Sequence, residues 1–170
     1  MWWSRKLILA FAALILAGCG FSPLYEGGKG SKISRQLNSV RIEPIADRIG
    51  QLLHNDLLDR MNPFGKPQSP PYSLAVKVTE SRQELAVQKT ELATRANLKI
   101  VANFTLKKHG QKPAELLRGT GQATISYNIL TANFATMMAE KDARRRAIRE
   151  ISAEITDKLA SFFRLSGTAG

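Results

Sequence analysis

The sequence predicts an α+β fold: a two-layer α/β sandwich in the order β-α-β-β-β-α, with two helices on one face of a mostly antiparallel four-stranded sheet. Three observations predict it. Stretches between positions 72 and 130 alternate apolar and polar residues with period two, as strands do when one face meets a core and the other meets water. Two other stretches repeat apolar residues every three or four positions, so each forms a helix with one buried stripe. Two such helices need one sheet face to cover, and the two layers then enclose a single core.

The first strand lies in "SVRIEPI". Val40 and Ile42 alternate with Arg41 and Glu43 until Pro44, which has no amide hydrogen to give, ends the ladder. "ADRIGQLLHNDLLDRMN" follows as a helix. Ile49, Leu52, Leu53, Leu57 and Met61 share its buried face, and Asp47 serves as N-terminal cap or first-turn acid. "NPFGKPQSPP", with four prolines and a glycine, cannot continue it.

The three alternating strands are "YSLAVKVTE", "NLKIVANFTLKK" and "GQATISYNIL". Tyr72, Leu74, Val76 and Val78 point inward from the first. Leu98, Ile100, Ala102, Phe104 and Leu106 do so from the second, and Ala123, Ile125, Tyr127 and Ile129 from the third. The opposite face carries Lys, Thr, Asn, Ser and Gln. "HGQKP" supplies turn residues between the second and third strands. Over residues 81–96 the alternation loosens. Leu85 and Val87 still keep it, while "QKTELATRA" reads as a projecting loop. A long helix over about residues 137–163 closes the chain, its stripe formed by Ala143, Ala147, Ile148, Ile151, Ile155, Leu159 and Phe162. Glu140–Arg144, Asp142–Arg146 and Glu154–Lys158 stand four apart as ion pairs on its other side.

Ahead of this domain the chain reads as an export signal. Arg5 and Lys6 are basic, positions 7–16 are apolar without a charge, and Ala17 and Gly18 are small. Ten residues at about 1.5 Å rise cover roughly half of the ~30 Å hydrocarbon core, too little for a permanent span. A buried core helix would be amphipathic, and this stretch is apolar all round. The only cysteine, Cys19, comes next. It has no partner for a disulfide, and two histidines, His54 and His109, are too few to build a zinc site around it. Leu16-Ala17-Gly18-Cys19 is similar to the lipobox of bacterial lipoproteins, in which the thiol is diacylated and the signal is cut before the cysteine. Each buried CH2 contributes roughly 0.8 kcal/mol, and two or more chains hold where one is marginal. The expected organisation is a signal peptide over 1–18, a lipidated tether over 19–38, the α/β domain over 39–165 and a flexible tail over 166–170. "EGGKGSK" in the tether lacks the spacing and flanking elements of a phosphate loop and reads as linker.

The chain carries 25 Lys+Arg against 14 Asp+Glu, a net charge of +11. Without Arg5 and Lys6 the mature chain holds 23 basic residues and a net +9, which implies an anionic partner. Nucleic acid is the usual first candidate, but an exported lipoprotein meets little of it. The abundant anions of an envelope are phosphorylated lipids and acidic polysaccharides. No cysteine follows position 19, so the fold relies on its core rather than on disulfides. No enzyme is expected: the carboxylates are scattered, and no nucleophile motif frames a serine. His54 sits beside the apolar stripe of its helix as a boundary residue, and His109 lies in a turn. Beyond covalent lipid on Cys19, no cofactor or metal is expected.

Several stretches in order carry a family resemblance: "CGFSPLY" directly after the signal, "IADRIGQLLHNDLLDRMNP", "ATRANLKIVANF", and "SYNILTANFATMMAEKDARRRAIREI" with a closing "LASFF". Together they resemble the LptE lipoproteins of Gram-negative bacteria, in the short form without a long C-terminal tail. The resemblance implies a lipid-anchored α/β domain on the periplasmic side of the outer membrane. It implies a place inside the β-barrel protein LptD, as plug and assembly aid, and binding of lipopolysaccharide at its final insertion step. Basic residues in the loop before the middle strands and near the start of the last helix carry ligand contact in the family. Matched by segment, these are Lys89, Arg95 and Lys141, whose cations suit lipid A phosphates through charge-assisted hydrogen bonds. Two other readings stand beside this one. A purely structural barrel plug would pair its basic residues with acidic groups of the lumen, and a generic envelope lipoprotein would hold acidic polysaccharide. Gly20 follows the cysteine where an inner-membrane retention signal often has Asp, which points to the outer membrane.

Overall fold

The computed structural model describes residues 32–63, 65, 67–85, 95–109 and 114–166. Cys19, the lipobox before it, Lys89 and the last four residues lie outside the described residues. The elements are α1 (Lys32–Asn38), β1 (Val40–Ile42), α2 (Asp47–Met61), β2 (Tyr72–Leu85), β3 (Arg95–Lys108), β4 (Ala114–Asn128) and α3 (Asn133–Ser166). The strands lie in sequence order, β1-β2-β3-β4. The first pair is parallel, because helix α2 carries the chain back across, and the other two are antiparallel. The architecture is the α+β sandwich that the periodicities predict, with three helices rather than two.

Alternation decides which face is dry. In β3, Leu98, Ile100, Ala102, Phe104 and Leu106 are at most 1% exposed, while Lys99, Asn103 and Lys107 between them face water. Leu53, Leu57 and Met61 of α2 and Ile151, Ile155 and Leu159 of α3 close over that face. Each of these large side chains contributes about 1.5–3 kcal/mol by leaving water. Tyr72 and Phe163 complete the core at one end, with ring centroids 5.3 Å apart.

Four boundaries differ from the expectation. Residues 32–38, read as tether, form helix α1, which buries Leu37 and packs Ile33 against the core. Two apolar residues four apart make too short a pattern to separate a single-stripe helix from a linker. β2 reaches Leu85 and β3 starts at Arg95, so part of the projecting loop is paired strand. β4 begins at Ala114, well before the alternating "GQATISYNIL", with a bulge at Leu106/Lys107 shifting the register. Helix α3 starts at Asn133, and Phe163, not Phe162, is the fully buried aromatic. Ala46 is the cap residue of α2. Asp47 sits in its first turn at φ 67°, a left-handed conformation that aspartate enters more readily than most residues.

Candidate functional site

The most chemically distinctive surface is a groove of about 890 Å³ between the N-terminal parts of α2 and α3. Helix α2 contributes Arg48, Ile49 and Leu52 to it, and helix α3 contributes Met137, Met138, Lys141, Arg144 and Arg145. The apolar side chains in the first turns of α3 are left uncovered by the described residues. Phe134 is 70% exposed and Met137 56% exposed, with Met138, Leu130 and Leu52 also open. Met137, Lys141 and Arg145 recur every four residues, which places two cations on the same ridge as an exposed thioether.

One cation of the groove is already committed. Arg144 makes a bidentate pair with Glu80 of β2, Nε to Oε2 at 2.8 Å and Nη2 to Oε1 at 2.7 Å, and a further bond to Glu140 at 2.8 Å. The hydrogen bonds it donates to Glu80 hold its guanidinium pKa above the ordinary value, against a smaller opposing effect of burial. Glu140 also accepts from Arg82 and from the Tyr127 hydroxyl, both at 3.4 Å. Burial is the main cause raising the Tyr127 pKa, with the Glu140 charge adding to it. Arg82 lies 6.0 Å from the Tyr127 ring centroid and bonds Glu84 at 2.6 Å. This network ties the outer half of β2 to the start of α3 and leaves its acids spent. Arg48, Lys141 and Arg145 are exposed and form no ion pair among the described residues.

Lys141 therefore lines the groove. Arg95 does not: it is the first residue of β3, opposite Leu85 and Asn128, and alternation with buried Ala96 and Leu98 turns it to the face away from the helices. The two residues stand on opposite sides of the sheet rather than in one cavity. Lys89 and Cys19 fall outside the described residues. Arg48, Arg145, Leu52, Met137 and Met138 are the groove residues that sequence reasoning missed. The four-residue spacing of Met137, Lys141 and Arg145 is a signal that could have found two of these five, Met137 and Arg145.

The outer sheet face is polar and carries Lys77, Lys99 and Arg95 in its exposed rows. Thr120 donates to Asn103 Oδ1 at 2.8 Å and Ser126 to Asn97 Oδ1 at 2.6 Å, so neighbouring strands are stitched side chain to side chain. His54 is half-buried, as its boundary position predicts, and lines a cleft of about 270 Å³ with Arg41, Pro44 and Pro70. The His109 amide donates to the Pro71 carbonyl at 2.8 Å in its turn. Among the described residues no three His, Cys, Asp or Glu side chains gather as a metal site. No helix of the described residues is long and apolar enough to cross a membrane.

Comparison with known proteins places this fold. Residues 37–162 match the family model for LptE, lipopolysaccharide-assembly. A candidate lipoprotein from Caulobacter crescentus CB15, in a crystal structure at 2.40 Å, is similar at 23% identity and a TM-score of 0.67. The match covers 81% of this chain and 98% of that one. A minor lipoprotein from Acinetobacter baumannii is similar at 19% identity and a TM-score of 0.57, covering 72% of this chain and 90% of that one. These two likenesses bear on the fold. No curated protein matches the chain by sequence. The family match spans the sheet and the helices that build the groove, and it places the chain in the LptE family of non-enzymatic lipopolysaccharide-assembly lipoproteins of the Gram-negative envelope.

Proposed function

We propose that the protein is an outer-membrane lipoprotein, anchored through acylated Cys19, that binds lipopolysaccharide and assembles with an LptD-type β-barrel for its insertion. One observation carries the ligand reading: Arg48, Lys141 and Arg145, cations with no ion pair among the described residues, stand on a groove floored by Leu52, Met137 and Met138. Lipid A joins phosphates to acyl chains, and a groove that joins free cations to apolar surface complements both. Arg95, the first residue of β3, forms a second contact, and Lys89 precedes it in the chain. The ligand then bridges two positions rather than filling one pocket.

The test is affinity for purified lipopolysaccharide after changing Lys89, Arg95 and Lys141 together to Ala. A loss of tenfold or more with an unchanged circular dichroism spectrum is expected; unaltered affinity of the folded variant would sink the ligand reading. The barrel reading rests on different ground, the exposed cations of the outer sheet face, which suit an acidic lumen wall. A mild-detergent pull-down of the full chain from outer membranes should bring a large β-barrel protein in stoichiometric amount. If none appears from well-solubilised membranes, the barrel part of the proposal is wrong.

A further inference from the structure

Among the described residues strand β4 is an edge strand of 15 residues, bonded to β3 on one side only. Natural edges are protected by charges, prolines or bulges, because an open row of amides and carbonyls accepts any passing strand. The stretch "GTGQATISYN" at positions 119–128 contains no charge and no proline. It has the composition of a segment that pairs with its own kind. Its protection has to come from elsewhere in the molecule.

Helix α3 supplies it. The Gln122 backbone N–H, on the open edge of β4, donates to Glu154 Oε2 at 3.0 Å. On the same edge the Thr120 carbonyl accepts from Lys158 Nζ at 2.6 Å. Glu154 and Lys158 bond each other at 2.7 Å, one turn apart on α3. One acceptor and one donor, held together by their own ion pair, thus fill two adjacent backbone positions, at the middle of the edge, that a neighbouring strand would use. The approach needs Gly121. A Cβ there would stand 3.3 Å from both Ile151 Cγ2 and Ile155 Cγ1, and 3.4 Å from Glu154 Oε2, so those side chains would have to give by a few tenths of an ångström.

We propose that the Glu154–Lys158 pair is a lock on the β4 edge, and that the partner it excludes is a second copy of this chain. Two β4 edges brought together antiparallel about a twofold axis at Gln122 put Gln122 opposite itself, Thr120 opposite Thr124 and Arg118 opposite Ser126. No like charges face one another in that register, so nothing in the strand itself rejects the copy. Rejection lies with the two helix side chains.

The experiment is sedimentation of the full chain in a non-ionic detergent, with amide exchange read at Gln122. The unaltered chain is expected to stay monomeric with a protected Gln122 amide. Glu154→Ala/Lys158→Ala is expected to dimerise at least tenfold more tightly. Asp142→Ala/Arg146→Ala, which removes a helix pair that touches no strand, is expected to leave association unchanged. Adding Gln122→Lys to the first variant sets two cations face to face on the axis and should restore the monomer. A folded Glu154→Ala/Lys158→Ala chain that stays monomeric overturns the proposal, as does a dimer that survives Gln122→Lys. Should that double variant fail to fold, Lys158→Met, which releases the Thr120 carbonyl and breaks the pair with Glu154 while keeping the Glu154 carboxylate, is judged by the same outcomes.

Discussion

Arg144 and Lys141 lie three positions apart on one helix, carry the same charge, and do different work. Arg144 is three-quarters buried in side-chain terms and satisfies Glu80 and Glu140, which are equally shielded. Removing it leaves Glu80 without its ion-pair partner and Glu140 with only the two longer contacts from Arg82 and Tyr127. Arg144→Ala should therefore cost about 1–3 kcal/mol of stability, read by chemical denaturation. Lys141 has no ion pair among the described residues, so Lys141→Ala should move stability by no more than about 0.5 kcal/mol while weakening lipopolysaccharide binding. A measurable stability loss at Lys141 comparable to that at Arg144 would contradict this division. Gly50 gives a second contrast. An exposed helical glycine gains about 1 kcal/mol on replacement by alanine. Here a Cβ would stand 2.6 Å from Ile45 Cγ2 and 3.0 Å from the Ile45 carbonyl carbon, and backbone does not move aside cheaply. Gly50→Ala should destabilise by about 1–3 kcal/mol, an overpacking cost, with a correspondingly lower urea midpoint.

At the scale of elements, what was legible in the sequence follows from the length of each pattern. Helix α2 and the body of β3 carry five apolar residues each in period, and both elements stand where the periods put them, except that Leu52, expected on the buried face of α2, is exposed on the groove. Helix α1 offers only Ile33 and Leu37, and β4 starts in "AELLRGTG", where Leu116 and Leu117 are adjacent and glycines interrupt the alternation. Such segments are set by pairing and packing with distant residues, which no local window contains. The ion pairs show the same limit. All three four-residue pairs foreseen in α3 form, yet no local pattern pointed to Glu140 being shared with Arg82 and Tyr127, or to Glu154 bonding strand β4. The Glu154 contact carries a pH dependence. Its carboxyl pKa is lowered first by the hydrogen bond from Lys158, with burial opposing and the Gln122 amide adding to the lowering. A carboxylate held below its unfolded value stabilises the fold above the ordinary carboxylate range, and that contribution is lost as pH falls through the lowered value. Exchange protection at the Gln122 amide, corrected for intrinsic rates, should therefore hold at neutral pH and decline in acid below the usual range. Protection in Glu154→Gln should show no such decline.

The whole molecule offers two unlike cationic surfaces, separated by its own sheet. The helix side joins free cations to exposed Met137, Met138 and Leu52. The outer sheet face sets Lys77 and Lys99 among hydroxyl and amide side chains. An amphiphile has reason to choose the first, because desolvating acyl chains adds to phosphate pairing there. A folded, polar wall has reason to choose the second, a broad surface already stitched by Asn103–Thr120 and Asn97–Ser126. The division predicts separable defects. Lys77→Glu/Lys99→Glu should reduce recovery of a β-barrel partner several-fold while leaving affinity for purified lipopolysaccharide within about twofold, since neither residue approaches the groove. Lys141→Ala/Arg145→Ala should do the reverse, reducing lipopolysaccharide affinity about tenfold with barrel recovery intact. All four positions are exposed, so both variants should keep the fold, and thermal unfolding would verify it. Loss of both activities in either variant would mean that one continuous surface serves ligand and barrel alike, and the sheet would then not be the boundary between two roles.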